Sequence, residues 1–220
     1  MLKRVLEPEV MDSEEEAREY DEMDHREVNR LFVSDFLAVH RDGWRILDVG
    51  TGTSLIPIEL CHREKRAIVL AIDASLHMLE RGAQNVASEG LVGRIHLERA
   101  DAKSLTYDAG SFGAVISNSI VHHIEHPQRA LAEMVRVLTP GGTLFVRDLL
   151  RPPDDKTVKH LVNTYAAGAA DRQRDLFDAS LRAALGLDEM SALIRGIGIS
   201  PTGLSQTSDR HWTLVYQPAS

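Results

Sequence analysis

The stretch from Ile46 to Leu60, ILDVGTGTSLIPIEL, constrains the fold of this chain more than any other. An apolar run ends at Asp48, glycines follow at Gly50 and Gly52, and apolar residues then recur at helical spacing. This pattern predicts a strand, a tight turn and the start of a helix. Glycines at such a turn let a ligand lie against the backbone, and a helix N-terminus offers it free N–H groups. We therefore expect a ligand site at this turn.

Short apolar runs alternate with amphipathic helices from Arg45 onward, which predicts a parallel sheet covered by helices on both faces. Polar residues follow the carboxyl ends of these runs, at the edge where open α/β sheets bind ligands. Two β-like runs near the C-terminus have no helix between them, so an antiparallel hairpin is expected there. The five predicted core strands are 45–49, 67–72, 94–99, 112–117 and 143–149.

Helices are predicted on either side of this core. Ser13 and Glu16 have the spacing of a capping box, and residues 27–39 have helical periodicity. After Pro153 the pattern again favours helices, over 157–167 and 172–185.

Several turn and cap residues are also predicted from residue type. The run Pro140-Gly141-Gly142 is expected to turn the chain before the fifth strand. Gly186 suits the C-terminal cap of one helix, and Asp188 can cap a shorter helix after it.

At 220 residues and 43% hydrophobic content, the chain can build one sizeable core but is short for two domains. We expect a single domain over 1–220. Its predicted segments are an N-terminal helical lid (1–42), a ligand-binding core (43–150), a helical cap (151–196) and a C-terminal hairpin (197–220).

Charge and composition restrict the possible partners. A formal net charge of −8 without a long Lys/Arg run argues against nucleic-acid binding. The single cysteine, Cys61, excludes a disulfide within the chain and is expected to be a buried apolar residue. No apolar window reaches the length of a membrane span, and the first residues lack the apolar core of a signal peptide. We expect a cytoplasmic protein with no nucleic-acid or membrane partner.

The choice of ligand depends on the residues after the first two strands. Asp73 ends the second strand, where a carboxylate meets ribose hydroxyls in either a dinucleotide or an adenosyl site. The dinucleotide fingerprint is G-x-G-x-x-G, but from Gly50 the chain reads G-T-G-T-S-L, with Leu55 in the place of the last glycine. This departure disfavours a nicotinamide-dependent oxidoreductase.

Five elements occur in order between about Tyr20 and Leu150: LDVGTGT, AIDAS, RADAKSL, FGAVISNSIVHHI and EMVRVLTPGGTLFVRDL. Together they resemble the class I S-adenosylmethionine-dependent methyltransferases, in particular the small-molecule branch that includes ubiquinone/menaquinone-type C-methyltransferases. The resemblance implies a Rossmann-like, mostly parallel seven-stranded sheet with helices on both faces and an antiparallel C-terminal hairpin. It also implies methyl transfer from S-adenosylmethionine to a small molecule.

The resemblance implies cofactor contacts at successive strand ends. Asp48 would lie near the amino group of the cofactor, Gly50 and Gly52 along its methionine and ribose portions, and Asp73 on both ribose hydroxyls. Ser54 departs from the family pattern, which has a third glycine there. The other implied contacts are Ala74 beside the adenine, Asp101 and the Ala102 backbone on its edge, Asn118 and Ser119 beside the sulfonium, and Tyr20 over the cofactor. The three aspartates also suit helix caps or turns.

A cluster of histidines follows the fourth strand, at His122, His123 and His126. Metal binding is disfavoured, because adjacent residues on a helix point apart and no cysteine or carboxylate set completes a site. We instead expect His123, or else His122, to face the substrate as a general base, since imidazole titrates near neutral pH. The alternative is a histidine at a helix start that only packs.

Candidate substrate contacts come from later loops. Asp148 and Arg151 could hold an acidic or hydroxylated substrate, or form a surface ion pair. His211 precedes the last strand in a cluster that could instead be an anchor through Trp212. Asp24 and His25 are a further candidate pair, although a solvated helix face explains them equally well.

Two other functions stay open. A non-catalytic adenosyl-ligand-binding protein would need the same cofactor residues. A methyltransferase acting on nucleic acid or protein would share the fold, but residues 118–121 read N-S-I-V and lack the N-P-P-Y type sequence of enzymes that methylate nucleic-acid amino groups.

Overall fold

The computed structural model describes residues 2–7, 13–22 and 26–219, so the candidate pair Asp24 and His25 lies outside the described residues. The strands in this part of the chain are β1 (Arg45–Val49), β2 (Ile68–Asp73), β3 (Ile95–Arg99), β4 (Phe112–Asn118), β5 (Leu138–Leu149), β6 (Leu204–Gln206) and β7 (His211–Tyr216). The α-helices are α1 (Glu14–Asp21), α2 (Arg26–Val39), α3 (Leu55–Arg63), α4 (Leu76–Ser88), α5 (Pro127–Arg136), α6 (Asp155–Tyr165), α7 (Asp171–Ala183) and α8 (Leu187–Gly196). Short 3₁₀ helices span Val121–His123 and Pro201–Gly203.

The strands form one sheet in the order β3-β2-β1-β4-β5-β7-β6. β1 pairs in parallel with both β2 and β4, and β2 pairs in parallel with β3. β6 and β7 are antiparallel, with Leu204 opposite Leu214. The predicted Rossmann-like, mostly parallel seven-stranded sheet with an antiparallel C-terminal hairpin is therefore confirmed.

The chain divides into two compact units, and the larger unit comprises Val10–Asn118, Arg129–Val146 and Val215–Ser220. Its core is built from the apolar faces of the helices and strands, as the helical periodicity of α2 illustrates. Phe32 and Phe36 are fully buried, and their rings meet Phe145 of β5 edge to face, with centroids 5.0 and 5.9 Å apart. Such aromatic pairs contribute about 0.5–1.5 kcal/mol beyond area burial.

The smaller unit comprises Met1–Glu9, Ser119–Gln128 and Arg147–Leu214. Val158 and Leu161 of α6 pack against Leu181 of α7 in a buried apolar cluster. The non-helical segment 2–7 belongs to this unit, and Arg4 fastens it through bonds from Nε to Ala183 O at 2.7 Å and from Nη2 to His122 O at 3.0 Å. Our division of one domain into four segments stays a prediction.

Two sequence expectations were wrong. β5 begins at Leu138 rather than at residue 143, so the Pro140–Gly142 run lies inside the strand. Gly142 is instead required by close packing, because a Cβ there would lie 2.8 Å from Gly113 O. Gly186 is the N-cap of α8 and not a C-terminal cap, and its N–H donates to Glu189 Oε2 at 2.8 Å. Asp188 therefore lies in the first turn of that helix.

No helix among the described residues has the length and apolarity that crossing a membrane would need.

Candidate active site

The glycine turn in the larger unit joins the carboxyl end of β1 to the start of α3. The backbone N–H groups of Gly50 and Thr51 both donate to Ile72 O of β2, at 2.8 and 2.9 Å. Gly50 and Gly52 have φ values of +74° and +54°, in the left-handed region that glycine adopts without a Cβ penalty. The turn is thus fixed to the neighbouring strand by its own backbone.

Ser54 also adopts a left-handed conformation, with φ of +65°, directly before α3. This explains why the family pattern has a third glycine here, since a residue with a Cβ is strained in this region. The Ser54 side chain is fully buried, and its Oγ lies 3.5 Å from Thr51 Oγ1.

Asp73 connects the turn to the end of β2. Its carboxylate accepts hydrogen bonds from Gly52 N at 2.8 Å and from Ser75 N at 2.9 Å. Burial raises the pKa of Asp73, although these backbone N–H groups offset part of the rise. Each carboxylate oxygen can accept a second hydrogen bond, so Asp73 has capacity left for ligand hydroxyls.

Asp48, near the end of β1, is a buried carboxylate. Its side chain is 2% exposed, and within the described part of the chain Oδ2 has no hydrogen-bond partner. Burial, with a smaller contribution from the charge of Asp73, raises the pKa of Asp48 to about 7, against the lowering effect of a hydrogen bond from Thr51. Because a buried carboxylate without its full set of partners is costly, Asp48 indicates a site for a cationic ligand group.

A cleft with an empty volume of about 330 Å³ lies at this place, and we call it the glycine-turn cleft. It lies at the carboxyl ends of β1 and β4, between which the strand order of the sheet reverses direction. Open α/β sheets bind ligands at such a point. The lining residues are Tyr20, Asn29, Asp48, Gly50, Thr51, Thr53, Leu55, Ile56 and Asn118. Tyr20, Asp48, Gly50 and Asn118 were predicted from the sequence, whereas Asn29 on α2 was missed. Nothing in the sequence distinguishes Asn29 from the other polar residues of this amphipathic helix.

Tyr20 reaches the cleft from α1. A Cβ on Gly52 would lie 3.5 Å from Tyr20 Cε1, so the ring rests against the glycine turn. Burial, together with the carboxylates of Asp73 and Asp48, raises the pKa of Tyr20 to about 12. The next residue, Asp21, accepts hydrogen bonds from Arg81 Nε and from an α4 asparagine, Asn85 Nδ2, both at 2.7 Å. Sequence reasoning missed this anchor of α1.

The predicted adenine contacts follow the ends of β2 and β3. Ala74 is exposed, and its carbonyl accepts from Arg99 Nε at 3.0 Å. Asp101 accepts from Lys103 N at 2.9 Å and pairs with Lys103 Nζ at 3.2 Å. Burial acts against the ionised form of Asp101, but the bonds from Lys103 prevail and leave its pKa lowered. Ala102 follows it, and none of the three predicted residues lines the glycine-turn cleft; their adenine contacts stay a prediction.

In the smaller unit, His122 and Asp148 form a buried pair. His122 Nδ1 lies 2.5 Å from Asp148 Oδ1, and the other carboxylate oxygen, Oδ2, accepts from Val121 N at 2.5 Å. Burial acts to lower the pKa of His122, but the Asp148 carboxylate outweighs it and the pKa is raised. The structure gives Asp148, which is fully buried, the role of orienting His122. Contact of Asp148 with a substrate stays a prediction.

His123 lies beside His122 rather than opposite to it. The two ring centroids are 4.1 Å apart, and Glu7 Oε1 lies 3.2 Å from His123 Nδ1. The expectation that these adjacent histidines point apart was therefore wrong, because the segment is a 3₁₀ helix and not a regular α-helix. Glu7 also brings to both histidines a carboxylate that the local sequence did not indicate. The general-base roles of His123 and His122 stay predictions.

The remaining predicted residues of the smaller unit have structural partners. Arg151 is buried and donates to Ala184 O at 3.2 Å and to Glu189 Oε1 at 2.8 Å. His211 Nδ1 lies 2.9 Å from Ser208 Oγ, and burial with the neighbouring Arg210 and Arg147 lowers its pKa to about 4. Substrate contacts of Arg151 and His211 stay predictions.

Ser119 follows the end of β4. It adopts φ of +58°, and its N–H donates to Arg147 O at 2.9 Å within the smaller unit. A strained non-glycine residue at a strand end often marks a functional position. The predicted place of Ser119 beside the sulfonium stays a prediction.

Comparison with known proteins finds similarity to methyltransferases. Residues 47–146 match the family described as "Methyltransferase domain". A ubiquinone/menaquinone biosynthesis C-methyltransferase of Geotalea daltonii is 32% identical over 122 residues, which cover 55% of this chain and 52% of that protein. An uncharacterized methyltransferase of Mycobacterium bovis is 33% identical over 135 residues, covering 61% and 66% of the two chains.

The fold has solved counterparts as well. The crystal structure of an S-adenosylmethionine-dependent methyltransferase from Aquifex aeolicus superposes with a TM-score of 0.67 at 16% identity, covering 92% of this chain and 97% of the other. The chain spans about half the length of the Geotalea relative. Residues 47–146, which match the methyltransferase domain, contain the glycine turn and the aspartates at the strand ends, Asp48, Asp73 and Asp101. Residues 47–146 therefore match a methyltransferase domain, and the chain is similar to the ubiquinone/menaquinone C-methyltransferases over about half of its length.

Proposed function

We propose that this protein transfers the methyl group of S-adenosylmethionine to a small-molecule acceptor, and that it does so in the cytoplasm. The acidic composition, with a net charge of −8, supports a small acceptor over a nucleic acid. The names of relatives such as the Geotalea enzyme favour a quinone-like ring as one acceptor class to test.

The observation that carries the proposal is the buried carboxylate of Asp48 in the glycine-turn cleft. The methionine portion of S-adenosylmethionine carries an ammonium group, which would supply the positive partner that Asp48 Oδ2 lacks among the described residues. Gly50, which lines the same cleft, has no side chain, so a ligand can lie close against the backbone there. These features fit S-adenosylmethionine.

The other cofactor roles follow from the family. Asp73 would accept from the ribose hydroxyls, and Tyr20 would cover the cofactor from α1. The remaining proposed contacts are Ala74, Asp101 and Ala102 at the adenine, and Asn118 and Ser119 beside the sulfonium.

When bound, the cofactor would supply a methyl carbon on a sulfonium: the acceptor nucleophile would bond to that carbon in line as the carbon–sulfur bond breaks and S-adenosylhomocysteine leaves. The chain's own contribution is to hold and orient, because placing two reactants correctly removes much of the barrier. A base is needed only where the acceptor must lose a proton, and His123 or His122 is proposed for that role. Asp148, Arg151 and His211 are the proposed substrate contacts.

Formation of S-adenosylhomocysteine tests the proposal. The full chain is incubated with S-adenosylmethionine and a panel of acceptors that includes a demethylmenaquinone analogue, phenols and amines. We expect acceptor-dependent S-adenosylhomocysteine formation that Asp73→Ala slows at limiting cofactor, since the loss of its charge-assisted hydrogen bonds should weaken cofactor binding by about 1.5–3 kcal/mol. Tight adenosyl-ligand binding without turnover on any acceptor would favour a non-catalytic binding protein instead.

A further inference from the structure

Three donor side chains converge in the smaller unit, and we call them the Glu7–His122–His123 cluster. Glu7 Oε1 lies 3.5 Å from His122 Nε2 and 3.2 Å from His123 Nδ1. One donor atom from each residue lies within 4.8 Å of the other two. His122 is buried, and Glu7 and His123 are largely so, with side chains 10% and 19% exposed. Bulk water therefore does not separate these groups.

The two donor spacings that involve Glu7 match the distance between neighbouring ligands of a metal ion. Bonds of about 2.0–2.1 Å in a tetrahedral arrangement separate neighbouring donor atoms by roughly 3.3–3.4 Å. The two Glu7 distances, 3.2 and 3.5 Å, bracket this value. The longer one also exceeds the usual range of an N–H···O hydrogen bond, so a direct bond between His122 and Glu7 explains the geometry less well.

Two of the donor residues are oriented by hydrogen bonds of the kind found around bound metal ions. His122 directs Nδ1 at Asp148, at 2.5 Å, and thus presents Nε2 to Glu7. A metal-binding histidine typically donates its other ring N–H to a carboxylate, which fixes the tautomer and the ring orientation. Glu7 Oε1 accepts from Ser180 Oγ at 2.9 Å, which orients the carboxylate in the same way.

We propose that Glu7, His122 and His123 bind a zinc ion. Two imidazoles with one carboxylate are a known ligand set for zinc, and three protein ligands leave a fourth position for water or another oxygen ligand. Glu7 and Asp148 supply two negative charges near the ion, and the guanidinium of Arg4, which donates to His122 O at 3.0 Å, opposes them in part. The ion would fasten segment 2–7 to the 3₁₀ helix at Val121–His123.

This inference goes beyond the proposed methyl transfer and does not depend on it. It does exclude the general-base role for the nitrogen atoms that it uses, because a metal-bound nitrogen cannot accept a proton. A metal-bound water would then be the candidate base, since zinc lowers the pKa of its bound water.

The test is metal binding by the full chain without S-adenosylmethionine. Protein treated with a chelator and then dialysed is titrated with Co²⁺, whose visible absorption reports coordination geometry, and the bound Co²⁺ is displaced with Zn²⁺. We expect saturation at one ion per chain and the spectrum of a four-coordinate site. Glu7→Gln and His123→Asn should each weaken binding at least tenfold, while His126→Ala, whose side chain is 82% exposed, should not.

Thermal unfolding with and without Zn²⁺ provides a second readout, because a ligand that binds only the folded state raises the unfolding temperature. Zn²⁺ should stabilise the wild-type chain and His126→Ala but not Glu7→Gln, with circular dichroism checking that each variant folds. The proposal is overturned by the absence of saturable binding. It is equally overturned if Glu7→Gln and His123→Asn bind as the wild type does, or if His126→Ala removes the site.

Discussion

Gly82 on α4 faces the hydroxyl of Ser54 so closely that a Cβ on Gly82 would lie 2.7 Å from Ser54 Oγ. Ser54 stands where the family pattern has a glycine, and it occupies a left-handed conformation. The absent side chain of Gly82 therefore makes the room that the extra hydroxyl of Ser54 needs. The serine that departs from the family pattern in the glycine turn is thus accommodated by a glycine on α4.

Gly82→Ala should destabilise the chain, although alanine is normally the better helix residue by about 1 kcal/mol. We expect a loss of about 1–3 kcal/mol, because overpacking outweighs propensity. In a Ser54→Gly background the same change should be neutral or stabilising, which gives a coupling free energy above about 1 kcal/mol. Urea unfolding of the four proteins measures it. Gly93→Ala is the control, since a Cβ there meets no atom within 4 Å. Additive effects of Gly82→Ala and Ser54→Gly on the free energy of unfolding would contradict the account.

The affinity for S-adenosylhomocysteine should depend on pH through Asp48. Its pKa is raised to about 7, so the carboxylate that pairs with the ligand ammonium is lost as pH falls below 7. We expect binding to weaken by up to about twenty-five-fold between about pH 7.5 and about pH 5.5, the fall in the ionised fraction of Asp48. In Asp48→Asn the affinity should be low and nearly flat over this range. Calorimetry at several pH values measures it, and an unchanged pH profile in the variant would contradict the role of Asp48.

Asp48 should also cost stability in the absence of ligand. The folded protein holds the Asp48 proton up to about pH 7, whereas the unfolded chain releases it near its ordinary pKa of 3.8. Stability therefore falls as pH rises between these values. The Asp48→Asn variant does not lose stability in this way. Its free energy of unfolding should therefore exceed that of the wild type by up to about 4 kcal/mol at pH 8 and by little at pH 4. Denaturant unfolding at both pH values measures the difference, and a variant that is less stable at pH 8 would contradict it.

Tyr20 should contribute to cofactor binding through its ring. Because the ring lies against Gly52, Tyr20→Ala should weaken S-adenosylhomocysteine binding about tenfold, the loss of roughly 1–2 kcal/mol of aromatic contact. Tyr20→Phe keeps the ring and should stay within about threefold of wild type. Tyr165→Ala, at an exposed tyrosine of the smaller unit, is the matched control. Equal losses in Tyr20→Phe and Tyr20→Ala would assign the effect to the hydroxyl.

The sequence predicted best those features that depend on local pattern. Strand β1 and helix α2 follow from apolar runs and helical periodicity, and the aspartates at strand ends are recognisable because residue type and position coincide. The capping of α1 by Ser13, which accepts from Glu16 N at 3.2 Å, is equally local.

What escaped prediction depends on contacts between distant residues. Glu7 is far from His122 in the chain, so the cluster they form has no local signature. The close contact between Gly82 and Ser54 likewise joins residues that are distant in the chain. So do the hydrogen bonds that Asp21 accepts from α4. The early start of β5 was missed because Gly141-Gly142 reads as a turn, whereas close approach of Gly113 is what requires glycine at 142.

Calorimetric titration of the full chain with S-adenosylhomocysteine, and separately with NAD, tests the central claim most directly. The account predicts saturable binding of one S-adenosylhomocysteine per chain. Asp73→Ala should weaken it by about 1.5–3 kcal/mol, the contribution of charge-assisted hydrogen bonds, and NAD should show no comparable binding. Tight binding of NAD without binding of S-adenosylhomocysteine would contradict the claim that the glycine-turn cleft is an S-adenosylmethionine site.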